Sequence, residues 1–352
     1  IEEGRIGDRD KWGECGLKGQ EDLASWESYK ALSRYAVKGT VEIPLEGILC
    51  VPDYKSTFTE EVVSVEIKDG SLCAEQKQAQ ITNDIWDGES LLDESLFAGN
   101  YADKHMLLLR NKFFKSCAFR TKLQKWFADK HITLSDLKVR GFVTLAEDIA
   151  QIVMVTTPNS LKYLKFVGGL SEKNIKQWAA HTDGTFGVVK WDQPTRFFHG
   201  KMVQSSYQLL NTLPLTEEEV RTLLQLGIVY IALLRKDTDF MRYHFTDAFA
   251  REKDGEEEQQ DGLAERADVI FTLLHNYPYF DETALYANFR SDVVRSLKER
   301  LKCGHILLNG TNATLFGNGP ELLKYLAGEE MIPELKPGQV RSERFADGAK
   351  LL

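Results

Sequence analysis

No run of apolar residues approaches the roughly 18 that a membrane-spanning helix requires, so nothing in the sequence reads as a bilayer segment. Cysteine is sparse. The five residues, Cys15, Cys50, Cys73, Cys117 and Cys303, are scattered, odd in number and without a C-x-x-C pair. With no secretory leader in view, that usage predicts a reducing, cytoplasmic setting, without a disulfide framework or a zinc site. Composition is otherwise ordinary for a globular protein, which excludes wholesale disorder.

Chemistry-bearing motifs are also missing. Gly168-Gly169 and Gly317-Asn318-Gly319 lack the G-x-G-x-x-G or Lys-Ser/Thr context of a phosphate loop. There is no H-E-x-x-H and no G-x-S-x-G. The seven histidines are dispersed, and His199 and His305, each beside a glycine, read as structural or surface residues. A hydrolase built on Asp183 and His199 is the weakest reading. Two-metal nucleotidyl transfer needs carboxylates converging on Mg²⁺, because the hard ion takes oxygen ligands. The nearest candidate, Asp237-Thr238-Asp239, lies beside Arg235, Lys236 and Arg242 and reads as local ion pairing. No metal ligand is assigned.

What the sequence does hold is a cationic island in an acidic chain. The formal net charge is −9, yet residues 104–140 carry ten Lys and Arg against two Asp, a local balance of +8. An apolar strand from Met106 to Leu109 runs into Arg110, Lys112, Lys115, Arg120, Lys122 and Lys125, interleaved with Phe113, Phe114, Phe119, Trp126 and Phe127. Solubility does not call for such an island when the excess surface charge is already negative. Two readings stand: a face for an anionic partner, or a solvated amphipathic segment whose aromatics are core.

Along the chain, a short helix is expected over Leu23–Val37, followed by strands at 41–53 and 63–67 and a turn at Lys68-Asp69-Gly70-Ser71. Phe119, Leu123, Trp126 and Phe127 fall at helical spacing. After Pro158 a helix is expected to start near Asn159 or Ser160 and to carry Lys162, Lys165 and Phe166. Thr216 and Glu219 form a capping-box pattern that opens a long helix, and a second long helix is expected from Asp281 to Leu301. Residues 251–268, with eight acidic and three basic residues, read as a solvated loop. Cys303–Asn309 reads as a strand, Pro320–Gly328 as a short helix, and strands are expected to return at the C-terminal end. Strands, then helices, then strands, with no βαβ alternation, predict an α+β architecture. The division expected is 1–80, a polar and β region; 81–215, a basic domain; 216–302, a helical neck; and 303–352, the start of a second β region.

Several of these pieces, in this order, resemble the two-barrel single-chain RNA polymerases: prophage-encoded enzymes and their bacterial relatives, and more distantly the RNA-dependent RNA polymerases of RNA silencing. In that superfamily a D-G turn precedes the first double-psi β-barrel, and a lysine follows an apolar strand. NDIWDGESLLDESLF and LLLRNKFFKSCAF are similar to those two pieces, and TTPNSLKYLKF to the R-P-S-x-x-K-F-like segment after them. The approach to the second barrel is similar to RSERFADGAKLL. The resemblance covers residues 80–352. The glycine-rich run before the family lysine is missing, so Lys112 and Lys115 both stand as its counterpart.

The resemblance implies nucleotidyl transfer with two Mg²⁺ ions, nucleic acid and nucleoside triphosphates as partners, and a barrel followed by a helical neck. Arg110, Lys112 and Lys115, with Arg120 in the same basic stretch, would face phosphates, reinforced by Lys162 and Lys165. The family's D-x-D-x-D metal motif does not occur here. The chain opens with Ile and stops just after a new segment has begun, as an internal piece of a longer polymerase chain would. The metal ligands and the rest of the enzyme are therefore expected outside it, and this piece alone is expected to be inactive. The competing expectation is a non-enzymatic scaffold whose basic face docks an acidic protein.

Overall fold

The computed structural model describes residues 23–34, 37–192, 202–245, 261–310, 313–317, 319–330, 335–342 and 345–350. The chain divides into two compact units, residues 1–192 with 316–352, and residues 193–315. The architecture is α+β: a curled mixed sheet, then helices, and a small two-stranded sheet.

The first unit opens with helix α1 (Leu23–Lys30) and strands β1 (Gly39–Glu42) and β2 (Ile48–Cys50). A long hairpin follows, β3 (Lys55–Lys68) and β4 (Ser71–Asp84), then β5 (Glu89–Asp93), β6 (Met106–Asn111) and β7 (Phe114–Thr121). Next come helices α2 (Leu123–Asp129) and α3 (Leu134–Val139), strands β8 (Val143–Thr144) and β9 (Met154–Thr156), helix α4 (Glu172–Ala179) and β10 (Thr185–Trp191). The second unit holds β11 (Met202–Gln204), α5 (Tyr207–Thr212), α6 (Glu217–Lys236), α7 (Thr238–Tyr243), α8 (Asp261–Asn276), α9 (Ala284–Lys302) and β12 (Leu307–Asn309). Helix α10 (Gly319–Ala327) belongs to the first unit.

Eight strands form one sheet in the order β1-β10-β6-β7-β5-β9-β2-β8. Neighbours are antiparallel except for two parallel pairs, β5 with β7 and β2 with β9. Strands from both sides of residue 80 therefore share this sheet. Every residue of β2, β5 and β9 is buried, which marks strands covered on both faces. Because side chains alternate with period two, Leu49, Leu91 and Val155 enter one core with Trp86, Phe127, Leu322 and Leu326. Their neighbours Ile48, Leu92 and Met154 enter the other, with Trp26, Phe113, Tyr163 and Trp178. The polar side chains caught between these layers satisfy one another. Ser90 bonds Ser116 at 2.6 Å and Thr156 at 2.7 Å, and Ser116 donates to the Gly88 carbonyl.

The β3–β4 turn is the Asp69-Gly70 pair, both at positive φ, the backbone that a two-residue hairpin loop requires. In the second unit the Thr216–Glu219 capping box opens α6 as its pattern predicts, and Thr283 caps α9. Phe240, Phe245, Phe271 and Phe289 pack within that unit's own core. Residues 251–260 of the acidic stretch lie outside the described residues, and 261–268 open α8.

Besides the helical 261–268 and a strand that covers only Leu307–Asn309 of the expected Cys303–Asn309, other expectations differ from the structure. The helix after Pro158 is only a 3-10 turn, Lys162–Lys165, because Leu161 bridges Phe114 and the Lys162 amide bonds the Phe113 carbonyl at 2.7 Å. Phe119 belongs to β7 and stacks on Phe316, and the helix begins only at Leu123. No strand occurs among the described residues after α10, where Lys336–Gln339 and Ala346–Ala349 close turns.

Phe113 sits fully buried 4.5 Å from the Trp26 ring, at the left-handed φ of 57°. Phe113→Ala is expected to cost about 3–5 kcal/mol in urea unfolding. A loss below about 1 kcal/mol would contradict its place in the core.

Candidate functional site

The site is built on the β6–β7 hairpin. Asn111 pairs with Phe114, so its loop is Lys112-Phe113, and the register sets Arg110 directly opposite Lys115. One step further along the same face come Leu108 and Cys117, and Cys117 is in turn beside Glu89 on β5. Two cations at one end and a carboxyl near the other are thus fixed by strand pairing alone. Lys115 is exposed, and its amide donates to the Ser160 carbonyl at 3.0 Å. That bond holds the segment carrying Lys162 against the hairpin.

Like charges directly opposite on adjacent strands repel. Neither Arg110 nor Lys115 forms an ion pair among the described residues. Arg110 is half-buried and donates to its neighbour's carbonyl, Leu109, at 2.8 Å, and burial lowers its pKa. The Lys162 side chain is 12% exposed, with its Nζ 4.0 Å from Asp87 Oδ1. Burial lowers its pKa first. Lys165 and, to a lesser degree, Lys115 push the same way, while Asp87 opposes them.

The hydrogen-bonded face of the site is acidic. Asp53 accepts from the Trp86 amide at 3.0 Å and from Asn159 Nδ2 at 3.0 Å, and the same Asn159 nitrogen donates to Asp84 at 2.8 Å. Burial raises the Asp53 pKa. The bonds from Asn159 and Trp86 offset part of that rise, and Asp84 and Asp87 add to it. Glu89 is 5% exposed, and neither carboxyl oxygen makes a hydrogen bond among the described residues. Burial pushes it to about 8, aided by Asp53 and opposed by the nearby Gly317 amide. The same burial, with Glu89 adding, pushes the Cys117 thiol to about 11. A Cβ on Gly317 would stand 2.7 Å from Glu89 Oε2 and from the Ile85 carbonyl, so only glycine allows this approach.

Of the six cations read from the sequence, the structure brings Arg110, Lys115 and Lys162 together, with Lys165 close enough to perturb Lys162. Lys165 also lies 5.8 Å over the Tyr29 ring. Lys112 is turned away in the hairpin loop, its Nζ 3.5 Å from the His181 carbonyl. Arg120 is on the opposite face of β7, bonded to the Ala102 carbonyl at 2.7 Å and stacked over Phe97. Its charge is used inside the fold.

Asp53, Glu89, Asn159 and Gly317 were not read as site residues from the sequence. Asp53 and Asn159 are separated by 106 positions, and no spacing announces their contact. Asp237 caps α7 by accepting from the Phe240 amide, and Asp239 pairs with Arg242. Asp183 accepts from Thr185, and His199 lies outside the described residues. Among the described residues, no group of three or more His, Cys, Asp or Glu is arranged to hold a metal ion. No helix there is long and apolar enough to cross a membrane. Searches of protein-family models, curated proteins and solved structures return no match to the chain.

Glu89 titrates near 4.5 when unfolded and near 8 when folded. The folded state then holds an extra proton between those values. Stability should therefore fall as pH rises through that window, by at most about 1.4 kcal/mol per pH unit. Glu89→Gln is expected to flatten this slope in urea unfolding at pH 5.5, 7 and 8.5, taken as about evenly spaced points. Parallel curves for the two proteins would contradict the assignment.

Proposed function

We propose that the first unit is the phosphate-binding part of a two-barrel RNA polymerase, holding nucleic acid or nucleoside triphosphate phosphates on Arg110, Lys115 and Lys162. The observation that carries this reading is the Arg110–Lys115 pairing. Two cations directly opposite in register, neither in an ion pair among the described residues, leave room for an anion set between them. Lys162, mostly removed from water, flanked by Lys165 and only 4.0 Å from Asp87 at the edge of ion-pair range, gains from a phosphate as well.

The fold supports the same reading. A barrel with crossing loops needs parallel pairs inside an otherwise antiparallel sheet, and β5 with β7 and β2 with β9 are two such pairs. In this proposal Lys115, rather than Lys112, takes the part of the family's lysine, because Lys112 Nζ is directed at the His181 carbonyl. The cations orient phosphate and offset its charge. Two Mg²⁺ ions would supply Lewis-acid chemistry at the transferred phosphate, held by residues outside this chain. Asp53, Asp84 and Asp87 restrict the anion to the cationic end, since a phosphate placed beside them would meet like charge.

Binding of a labelled single-stranded RNA, followed by anisotropy between about 50 and 200 mM KCl, tests this. Affinity is expected to fall with salt, with a log–log slope near −2 for about three phosphates engaged. Lys115→Glu and Lys162→Glu are each expected to weaken binding about tenfold or more, and Arg120→Ala by less than about threefold. Binding indifferent to salt and to both reversals would overturn the proposal. So would capture of an acidic protein through these residues with no RNA bound.

A further inference from the structure

Helix α6 is apolar on two sides. Gly227, Tyr230, Ile231 and Leu234 form its buried face, and a Cβ on Gly227 would come within 3.1 Å of Leu301 on α9. On the far side, Leu226 is 38% exposed, Val229 46% and Leu233 41%, with Ile228 and Ala232 exposed beside them. A second apolar stripe on a helix is ordinarily covered as the first is.

The outward residues have a specific order. Glu219, Thr222, Leu226, Val229, Leu233 and Lys236 are all exposed and follow one another at alternating three- and four-residue steps. That is the spacing of a two-stranded coiled-coil seam, apolar at its three central positions Leu226, Val229 and Leu233. The seam is also self-complementary when reversed. With a second copy antiparallel about a two-fold axis between Gly227 and Ile228, Leu226 meets Val229 of the partner helix and Thr222 meets Leu233. Glu219 then meets Lys236 at both ends. A parallel pair would instead place Glu219 on Glu219 and Lys236 on Lys236.

We infer that this face of α6 is a homodimer interface, and that its occupant is the same helix of a second copy, packed antiparallel. Charge complementarity selects that occupant. The first turn is acidic (Glu217, Glu218, Glu219) and the last turn is basic (Arg235, Lys236), so antiparallel copies bring opposite charges together at each end. The dipoles of the two helices also oppose favourably in that arrangement. A seam limited to one helix of about 30 Å buries less than the roughly 1,200 Å² of a stable interface, so the dimer is weak and concentration-dependent.

The test is sedimentation of the full chain between about 1 and 100 μM, where a micromolar dimer would be half dissociated. The wild type is expected to pass from monomer to dimer across that range. Val229→Glu should hold it monomeric with unchanged far-UV circular dichroism. Lys236→Glu, which sets carboxylate against Glu219 at both ends, should raise the dissociation constant about tenfold or more. A wild type monomeric throughout, or a dimer untouched by Val229→Glu, overturns the interface. A dimer lost in Val229→Glu but unchanged in Lys236→Glu overturns the antiparallel pairing. Should Val229→Glu fail to fold, Lys236→Glu alone decides, since Lys236 is an exposed end residue.

Discussion

The first unit depends on one constraint: β5 is buried on both faces and must still find partners for its polar atoms. At Ser90 it meets that constraint with the hydroxyl chain from Ser116 through Ser90 to Thr156, which ties β7, β5 and β9 together across the sheet, while the Glu89 carboxyl makes no hydrogen bond among the described residues. An unpaired buried hydroxyl costs about 1–3 kcal/mol, so the three groups are stable only in this register. A slip by one residue would turn every side chain of β5 to the wrong core. The same register that seats Leu91 and Leu92 in opposite cores sets Glu89 beside Cys117, and through β7 it sets Lys115 opposite Arg110. The candidate site is a consequence of how the central strand is satisfied.

Electrostatically the site is unfinished. Burial works against charge at Arg110, Lys162, Asp53 and Glu89 alike, and the nearest opposite charges are only partly used. Lys162 and Asp87 stand at 4.0 Å, and among the described residues Glu89 has no cation of its own. Shifted pKa values gathered in one small region mark a candidate binding site. On the proposed reading, a phosphate would engage the cationic half without needing the carboxyl half to change.

Much of the fold was legible in the sequence because local chemistry agreed with the final structure. Asp69-Gly70 supplied the turn backbone, and Thr216 with Glu219 supplied both halves of the α6 cap. The β6–β7 loop was not legible, because Lys112-Phe113 contains neither glycine nor asparagine. Phe113 occupies a left-handed backbone offset by its burial against Trp26 and Tyr163. Without that turn the Arg110–Lys115 pairing stayed hidden, though both cations stood out by charge. Arg120 stood out equally, yet its partners are backbone carbonyls that only the folded chain assembles. Asp53 and Asn159 meet across too many positions for any local pattern to join them. The expected helix after Pro158 failed for a related reason: long-range bonds to Phe113 and Phe114 outcompeted local helix formation.

In the proposed function Arg110, Lys115 and Lys162 act together on one phosphate-bearing ligand. Photo-crosslinking a single-stranded RNA to the full chain, followed by mapping of the linked peptides, tests it most directly. The account predicts links in the peptides spanning residues 107–119 and 160–166, both lost together in Lys115→Glu. Links confined to the second unit, or links at the β7 hairpin that persist unchanged in Lys115→Glu, would contradict it.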